Sequence, residues 1–286
     1  MDLITLTLIL SVSGILVIGL LIRALWEPTR LESNRAEIRL PASGLTRQHL
    51  SVLLLSDLHA EHFRIRPDRL LNACAAADPD LILFAGDLAG RSGSVAPALD
   101  LMQQIRDLPS LSGCPFLAVR GNHDSPQTAD RMRRLGINVL ENRALAVTIR
   151  QTRWLVIGLE DLKTGQPDAA SAIVKAESED IPPERRLVLA HNPDSILTLP
   201  AGTAAVFLAG HFHGGQIWLP FHLEFFLLRR EKLPRLGIRK GFFVWQGISA
   251  YISRGLGCVK LPLRLFSKPE ITVIDIISDP ESGQSQ

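Results

Sequence analysis

Five short apolar runs, each ending in a cluster of Asp, His or Asn, constrain this chain more than any other feature. "LSVLLLSDLH" runs into Asp57 and His59, "DLILFAGDL" into Asp87, and "PFLAVRGNHD" into Asn122, His123 and Asp124. "RRLVLAHNPD" reaches His191, and "AVFLAGHFHGG" reaches His211 and His213. Continuous apolar runs of this length read as strands covered on both faces. Helix-like stretches at 67–77, 95–107 and 126–135 lie between them. The alternation predicts an α/β sheet. Ligands of such sheets bind beyond the carboxyl ends of the strands, which is where every polar cluster falls.

Each cluster alone has an ordinary explanation. Asp57 can cap a helix, Gly86-Asp87 and Gly121-Asn122 can be turns, His191 can be a loop histidine, and His211 and His213 can face solvent. Together, these explanations require five strands to end by accident in the same three residue types. A shared site is the simpler reading. Asp57, Asp87, Asn122, His59, His191, His211 and His213 offer oxygen and imidazole donors and no thiolate. That set suits Mn, Fe or Zn with a position left open to substrate. It is too large for one such ion, and suits two divalent ions about 3.5–4 Å apart that share a carboxylate. Two such ions clamp a phosphate and lower the pKa of a bridging water. Gly86, Gly121, Gly210, Gly214 and Gly215 flank the donors, where they permit sharp turns and close approach of a phosphate.

In this order, the motifs D-x-H, GD, GNHD, H-x-PD and GH-x-HGGQI resemble those of the calcineurin-like metallophosphoesterases, over a span from about Ser51 to Ile274. The later "YISRGLG", "PLRL" and "PEITVI" are similar to a small bacterial branch with an N-terminal membrane segment. The resemblance implies a four-layer αββα sandwich, with a second sheet drawn from pieces such as "ALAVTIR", "RWLVIGL", "FFVWQGI" and "ITVIDII". It implies that Asp57, His59 and His213 hold one ion, that Asn122, His191 and His211 hold the other, and that Asp87 bridges. His123 would face the leaving group as general acid or electrostatic stabiliser. The ions implied are Mn first, then Fe, Zn or Co. Two positions depart from the pattern. Gly90 stands where the family often has an Asp that orients the catalytic His, leaving Asp124 or an outside residue to substitute. Phe212 stands where a small polar residue is common; it either packs under the metal loop or faces substrate.

Leu3 to Ile22 carries no charged residue. Twenty residues of helix reach about 30 Å, the thickness of a bilayer's hydrocarbon core. A signal peptide needs a basic start and a small-residue cleavage site. The start here is Met1-Asp2, and "LLIRALWEPTR" has no such site, so an uncleaved single-pass anchor is expected. Arg23, Arg30, Arg35 and Arg39 follow the span and no Lys or Arg precedes it, which predicts a domain facing the cytoplasm from the inner membrane. The expected organisation is an anchor over 1–26, a linker over 27–48, a catalytic domain over 49–279 and a flexible tail over 280–286. Cys74, Cys114 and Cys258 are far apart and odd in number, which argues against a disulfide framework or zinc knuckle and for a reducing compartment. A formal net charge of +2 argues against a dedicated nucleic-acid binder.

Substrate preference must come from outside the metal ligands. Residues 219–243, "LPFHLEFFLLRREKLPRLGIRKGFF", combine Phe225, Phe226 and Leu228 with Arg229 and Arg230. They form either a helix packed on the core or an interfacial segment beside anionic lipid, with these five residues as candidate substrate contacts. Three functions remain open. The first is a membrane-anchored hydrolase of a lipid-linked phosphate, for which the resemblance implies UDP-2,3-diacylglucosamine, a lipid A precursor, as a concrete case. The second is a phosphodiesterase of soluble nucleotides or nucleic acid. The third is a non-catalytic membrane scaffold on the same fold, disfavoured because all seven ligand positions are filled. The oligomeric state leaves no trace in the sequence.

Overall fold

The structure is a computed structural model that describes residues 1–41, 48–90, 93–176, 180–228 and 230–279, with the backbone alone at 41, 226–228 and 279. In chain order the elements are α1 (Leu3–Trp26), β1 (Glu32–Pro41), β2 (Gln48–Leu55), α2 (Pro67–Ala75), β3 (Leu81–Phe84), α3 (Ala96–Arg106), β4 (Phe116–Ala118), α4 (Pro126–Arg134) and β5 (Asn138–Val139). They continue as β6 (Arg143–Ile149), β7 (Thr152–Gly158), α5 (Ala169–Lys175), β8 (Arg186–Leu189), β9 (Val206–Ala209), α6 (Leu223–Leu228), β10 (Gly241–Trp245), β11 (Ile248–Ile252) and β12 (Glu270–Asp279). The three helices expected from sequence form within two residues of their expected ends.

Two six-stranded sheets, ordered β1-β12-β2-β3-β4-β5 and β10-β11-β9-β8-β7-β6, stack face to face. The apolar layer between them takes Leu50, Val52 and Leu54 from one sheet and Val156, Leu187 and Leu208 from the other. Strands covered on both faces need no polar side, which is why β2, β3, β8 and β9 read as unbroken apolar runs. On the outer face of the first sheet, Leu70 of α2, Met102 of α3 and Met132 of α4 pack against Leu53 and Phe84. On the outer face of the second, Ala172 and Ile173 of α5 pack with Ile157 and Phe207. The result is the αββα layering. The five ligand-bearing strands do not share one sheet: β2, β3 and β4 lie in the first, β8 and β9 in the second.

Two sequence expectations need correction. Within the expected linker, Glu32–Pro41 is a strand, because β1 pairs in parallel with β12 along that length; residues 42–47 lie outside the described residues. Ile38 and Leu40 are buried there while Arg35, Glu37 and Arg39 point outward. That period-2 pattern was hidden by the run of charges. The second correction concerns "ITVIDII", which belongs to the first sheet as part of β12, between β1 and β2, rather than to the second. The expected tail, 280–286, lies outside the described residues.

Helix α1 is the single helix among the described residues long and apolar enough to cross a membrane, with its apolar side chains exposed except for Ala24 near its end. Its C-terminal end is fastened to the domain. Arg264 donates its backbone N–H to the Ala24 carbonyl at 3.0 Å. Glu27 is 1% exposed and accepts from the Ser267 backbone N–H and from Arg23 Nε.

Candidate metal centre

The strand ends and the loops that follow them meet at one edge of the sandwich. The Asp57 N–H donates to the Gly86 carbonyl at 2.8 Å, and the His59 N–H to the Asp87 carbonyl at 3.2 Å. These bonds tie the β2 and β3 loops together. The second sheet joins when the His211 N–H donates to Asp57 Oδ2 at 2.9 Å. Asp57, His59, Asp87, His211 and His213 all adopt positive φ, between 42° and 68°. Non-glycine residues rarely do so, and such strain clusters at functional sites.

Two groups of donors converge. Asp57, His59 and His213 bring ligand atoms within 4.8 Å of one another, and so do Asp87, His191 and His211. The Asp87 carboxylate lies between the groups: Oδ2 is 3.5 Å from His59 Nε2 and 3.3 Å from His191 Nε2. Asn122 joins the second group, with Oδ1 3.1 Å from His191 Nε2. The seven residues singled out from the sequence thus lie together in these two neighbouring groups.

The electrostatics call for cations. Burial first, and then the neighbouring His213, hold His59 down at about 4, so its imidazole is neutral. Both of its ring nitrogens are buried without a hydrogen-bond partner, so at least one is free to ligate an ion. Burial opposes charge on His191, but Asp87 and then Asp57 outweigh it and push that residue up to about 10. Without an ion, the buried carboxylates draw a proton onto a histidine. The donor set therefore fits divalent metal, with Asp57, His59 and His213 around one position, His191, His211 and Asn122 around another, and Asp87 reaching both.

Two glycines answer to ligands rather than to phosphate. A Cβ on Gly121 would lie 2.0 Å from Asp87 Oδ1, and one on Gly210 would lie 2.4 Å from Asp57 Oδ2. The carboxylates are packed directly onto bare backbone.

Both departures from the family pattern gain a physical account. Phe212 is fully buried and packs edge-on against Phe225, with ring centroids 6.2 Å apart, so it lies beneath the metal loop and away from substrate. Asp124 does not orient His123. Its carboxylate accepts from the backbone N–H groups of Asp87, Leu88 and Gly121, bracing the loops. The space beside Gly90 is taken by Glu61, whose Oε1 accepts from the Gly90 N–H at 2.8 Å. His123 sits edge-on to His59, and its Nδ1 is buried without a partner.

The expected substrate contacts separate. Phe225 is 2% exposed and belongs to the core under the loop, so it is not a substrate contact. Its apolar character serves packing. Arg230 does line the cavity. Arg229 lies outside the described residues, as do the side chains of Phe226 and Leu228. The cavity over the metal ligands has a volume of about 570 Å³. It is lined by Asp87, Asn122, His123, His211 and His213, by the apolar Ile217, Leu219, Val259 and Leu261, and by Lys163, Arg230 and Lys260.

Three supporting residues escaped the sequence reading. Glu231 accepts from Lys163 Nζ at 2.5 Å and contacts His211 Nε2 at 3.0 Å. Arg264 is fully buried and donates to the carbonyls of Arg254, Gly255, Gly257 and Ser267, beside His213. Lys163 follows β7, in a stretch with no recognisable motif.

A family model for calcineurin-like phosphoesterases matches residues 50–215, more than half of the chain and all of the donor loops. The chain belongs to that family. Among curated relatives, the phosphodiesterase YaeI of Escherichia coli is 30% identical over 242 residues, covering 79% of this chain and 82% of that protein. The uncharacterized metallophosphoesterase YkoQ of Bacillus subtilis is 28% identical over 275 residues, covering 93% and 98%. The UDP-2,3-diacylglucosamine pyrophosphatase LpxG of Chlamydia muridarum is 26% identical over 312 residues, covering 89% and 92%. Among solved structures, NAD nucleotidase of Haemophilus influenzae superposes with a TM-score of 0.53 at 12% identity, over 82% of this chain and 48% of its own. That likeness concerns the fold. Family membership makes this a phosphoesterase, a hydrolase, whose two donor groups could hold metal ions.

Proposed function

We propose that this protein is a membrane-anchored phosphohydrolase that uses two divalent ions, Mn in the first place, to break a phosphodiester or pyrophosphate bond in a lipid-linked substrate. One observation carries the reading: a single cavity joins both donor groups to a wall of Ile217, Leu219, Val259 and Leu261. A phosphate placed over the donors puts its substituent on that apolar wall. Two bound ions would supply an activated water and offset phosphate charge. The chain's own residues do the rest. Lys163 and Arg230 border the cavity, where they attract a second phosphate. His123 lines it and would pass a proton to the departing oxygen.

The relative named UDP-2,3-diacylglucosamine pyrophosphatase supplies a concrete candidate. Cleavage would yield an acylated sugar phosphate and UMP, a lipid A pathway step. The test compares kcat/KM of Mn-loaded protein on UDP-2,3-diacylglucosamine, on unacylated UDP-N-acetylglucosamine and on a small aryl phosphodiester. The proposal expects the acylated substrate to lead by far. Equal rates on all three would favour a phosphodiesterase of soluble esters.

Helix α1 would anchor the enzyme, with Arg23 and Arg30 just beyond the span favouring a cytoplasmic catalytic domain at the inner membrane. An alkaline phosphatase reporter fused after Gln286 should be silent. Activity of that reporter would place the domain outside.

A further inference from the structure

The anchor end and the metal cavity share a wall. Arg23, on the last turn of α1, lies over the Phe266 ring with its guanidinium carbon 4.1 Å from the centroid. Phe266 meets Trp218 edge-on, with centroids 5.8 Å apart. The Trp218 backbone N–H donates to the Leu265 carbonyl at 3.0 Å, and Ile217 bridges Leu265. Ile217 and Leu219, on either side of Trp218, face the cavity. A continuous path of contacts therefore runs from the helix exit to the metal centre.

On and beside that path large apolar side chains are exposed. Trp218 is 41% exposed, Phe266 44%, Leu261 55% and Phe221 88%. Phe221 and His222 both hold positive φ, 59° and 57°. A bulky residue in this conformation is a costly outlier, and here it leaves the phenyl ring in the open. A soluble surface gains nothing from that arrangement. Trp26 and Arg30 stack at the helix exit, 4.5 Å from guanidinium carbon to ring centroid, and Lys260 adjoins Leu261. Aromatic rings interleaved with cations suit the headgroup level of an anionic bilayer. The face is also continuous with a helix of membrane-spanning length and is fixed to it through Ala24 and Glu27.

We propose that the face formed by Trp218, Phe221, Leu261 and Phe266 is seated in the anionic bilayer around α1. The cavity then opens over Leu261 into the lipid layer, and an acylated substrate enters sideways without leaving the membrane. The seating stands on the surface itself. The sideways entry rests on the lipid-substrate reading above.

The test uses the full chain in phosphatidylglycerol–phosphatidylcholine vesicles. In a Cys114→Ser background, where Cys74 and Cys258 are buried, an environment-sensitive fluorophore is attached at Phe221→Cys, Phe266→Cys or Leu16→Cys. A further label at Val174→Cys, on α5 at the other edge of the second sheet, is the solvent control. Quenching by doxyl lipids should be strong at 16, 221 and 266 and weak at 174. Weak quenching at 221 and 266 despite strong quenching at 16 would overturn the seating. Phe221→Asp should lower kcat/KM on vesicle-borne acylated substrate roughly tenfold, from loss of one buried ring. Hydrolysis of a soluble aryl phosphodiester should not change, which also reports an intact fold. If the labels are quenched but the unaltered enzyme shows no preference for acyl chains, the lipid-substrate reading fails and the seated face stands. If the preference holds while 221 and 266 stay in water, the seated face fails and the lipid-substrate reading stands.

Discussion

Glu231 meets His211 on the side of the ring that faces away from the donor cluster. Its Oε1 is 3.0 Å from His211 Nε2, while His211 Nδ1 is 2.9 Å from His191 Nε2. A carboxylate behind a ligating imidazole fixes its tautomer and orientation and raises its basicity. Glu231 comes from the segment after α6, so a stretch that looked like substrate surface also supports a ligand. Glu231→Ala should weaken metal affinity by about 10–100-fold. Competition against a calibrated chelator measures this directly. Unchanged affinity would reduce Glu231 to a partner of Lys163 alone.

Metal stoichiometry should separate Asp87 from His123. Asp87 reaches both donor groups, so Asp87→Ala should lose both ions and all phosphodiester hydrolysis. His123 is the residue expected to handle the leaving group, and its side chain is not part of either donor group. His123→Ala should keep its metal content while kcat falls by roughly 10²–10⁴. Elemental analysis beside steady-state kinetics distinguishes the two. One ion per chain in fully active protein would defeat the two-ion reading, and near-normal turnover of His123→Ala would defeat the role given to His123.

The donor residues were legible in the sequence because each sits where an unbroken apolar run stops. Buried strands make such runs, and the polar residues that end them stand out. In the structure they lie in two neighbouring groups. The supporting residues were not legible, for a physical reason. Glu231, Arg264 and Lys163 act from loops, where no periodicity marks a position, and their partners lie tens of residues away. Phe225 failed as a substrate contact because an apolar residue beside Arg and Lys has the same composition whether it packs inward or faces lipid; only the contact with Phe212 decides. In β1, outward charges hid an alternation that its pairing with β12 makes plain.

Glu61 should compete with any acidic side chain placed at position 90. A Cβ there would lie 2.1 Å from Glu61 Oε1. Gly90→Asp must therefore push that carboxylate aside and set two like charges together. The single change should lower both kcat and melting temperature. Adding Glu61→Ala should recover much of the loss, because the new Asp then has the space and the Gly90 region keeps one carboxylate. We expect a coupling free energy of about 1 kcal/mol or more between the two positions. Strictly additive effects would mean that Glu61 does not occupy the place of the missing Asp.

Arg264 holds the loop that backs the first donor group, and its removal should be felt as lost stability before lost chemistry. The side chain is 0% exposed. Burial pulls its pKa down from the usual arginine value, and among the described residues no carboxylate pairs with it directly; backbone carbonyls do that work. Removing the guanidinium would leave the carbonyls of Arg254, Gly257 and Ser267 without donors, at about 1–3 kcal/mol each, while the Gly255 carbonyl keeps the Glu270 N–H. Arg264→Met preserves bulk but supplies no donor, so denaturant unfolding should show a loss of at least about 3 kcal/mol. Arg264→Lys keeps the charge yet cannot fork across several carbonyls, and should recover only part of it. The loop also carries Gly255 and Gly257, whose missing side chains make room for Asp57 and for the Leu58 carbonyl. Metal affinity should therefore fall in Arg264→Met even at temperatures where the protein stays folded. If Arg264→Met unfolded at the parent's denaturant midpoint, the carbonyls would have to find other donors, and the clamp assigned to this residue would be wrong.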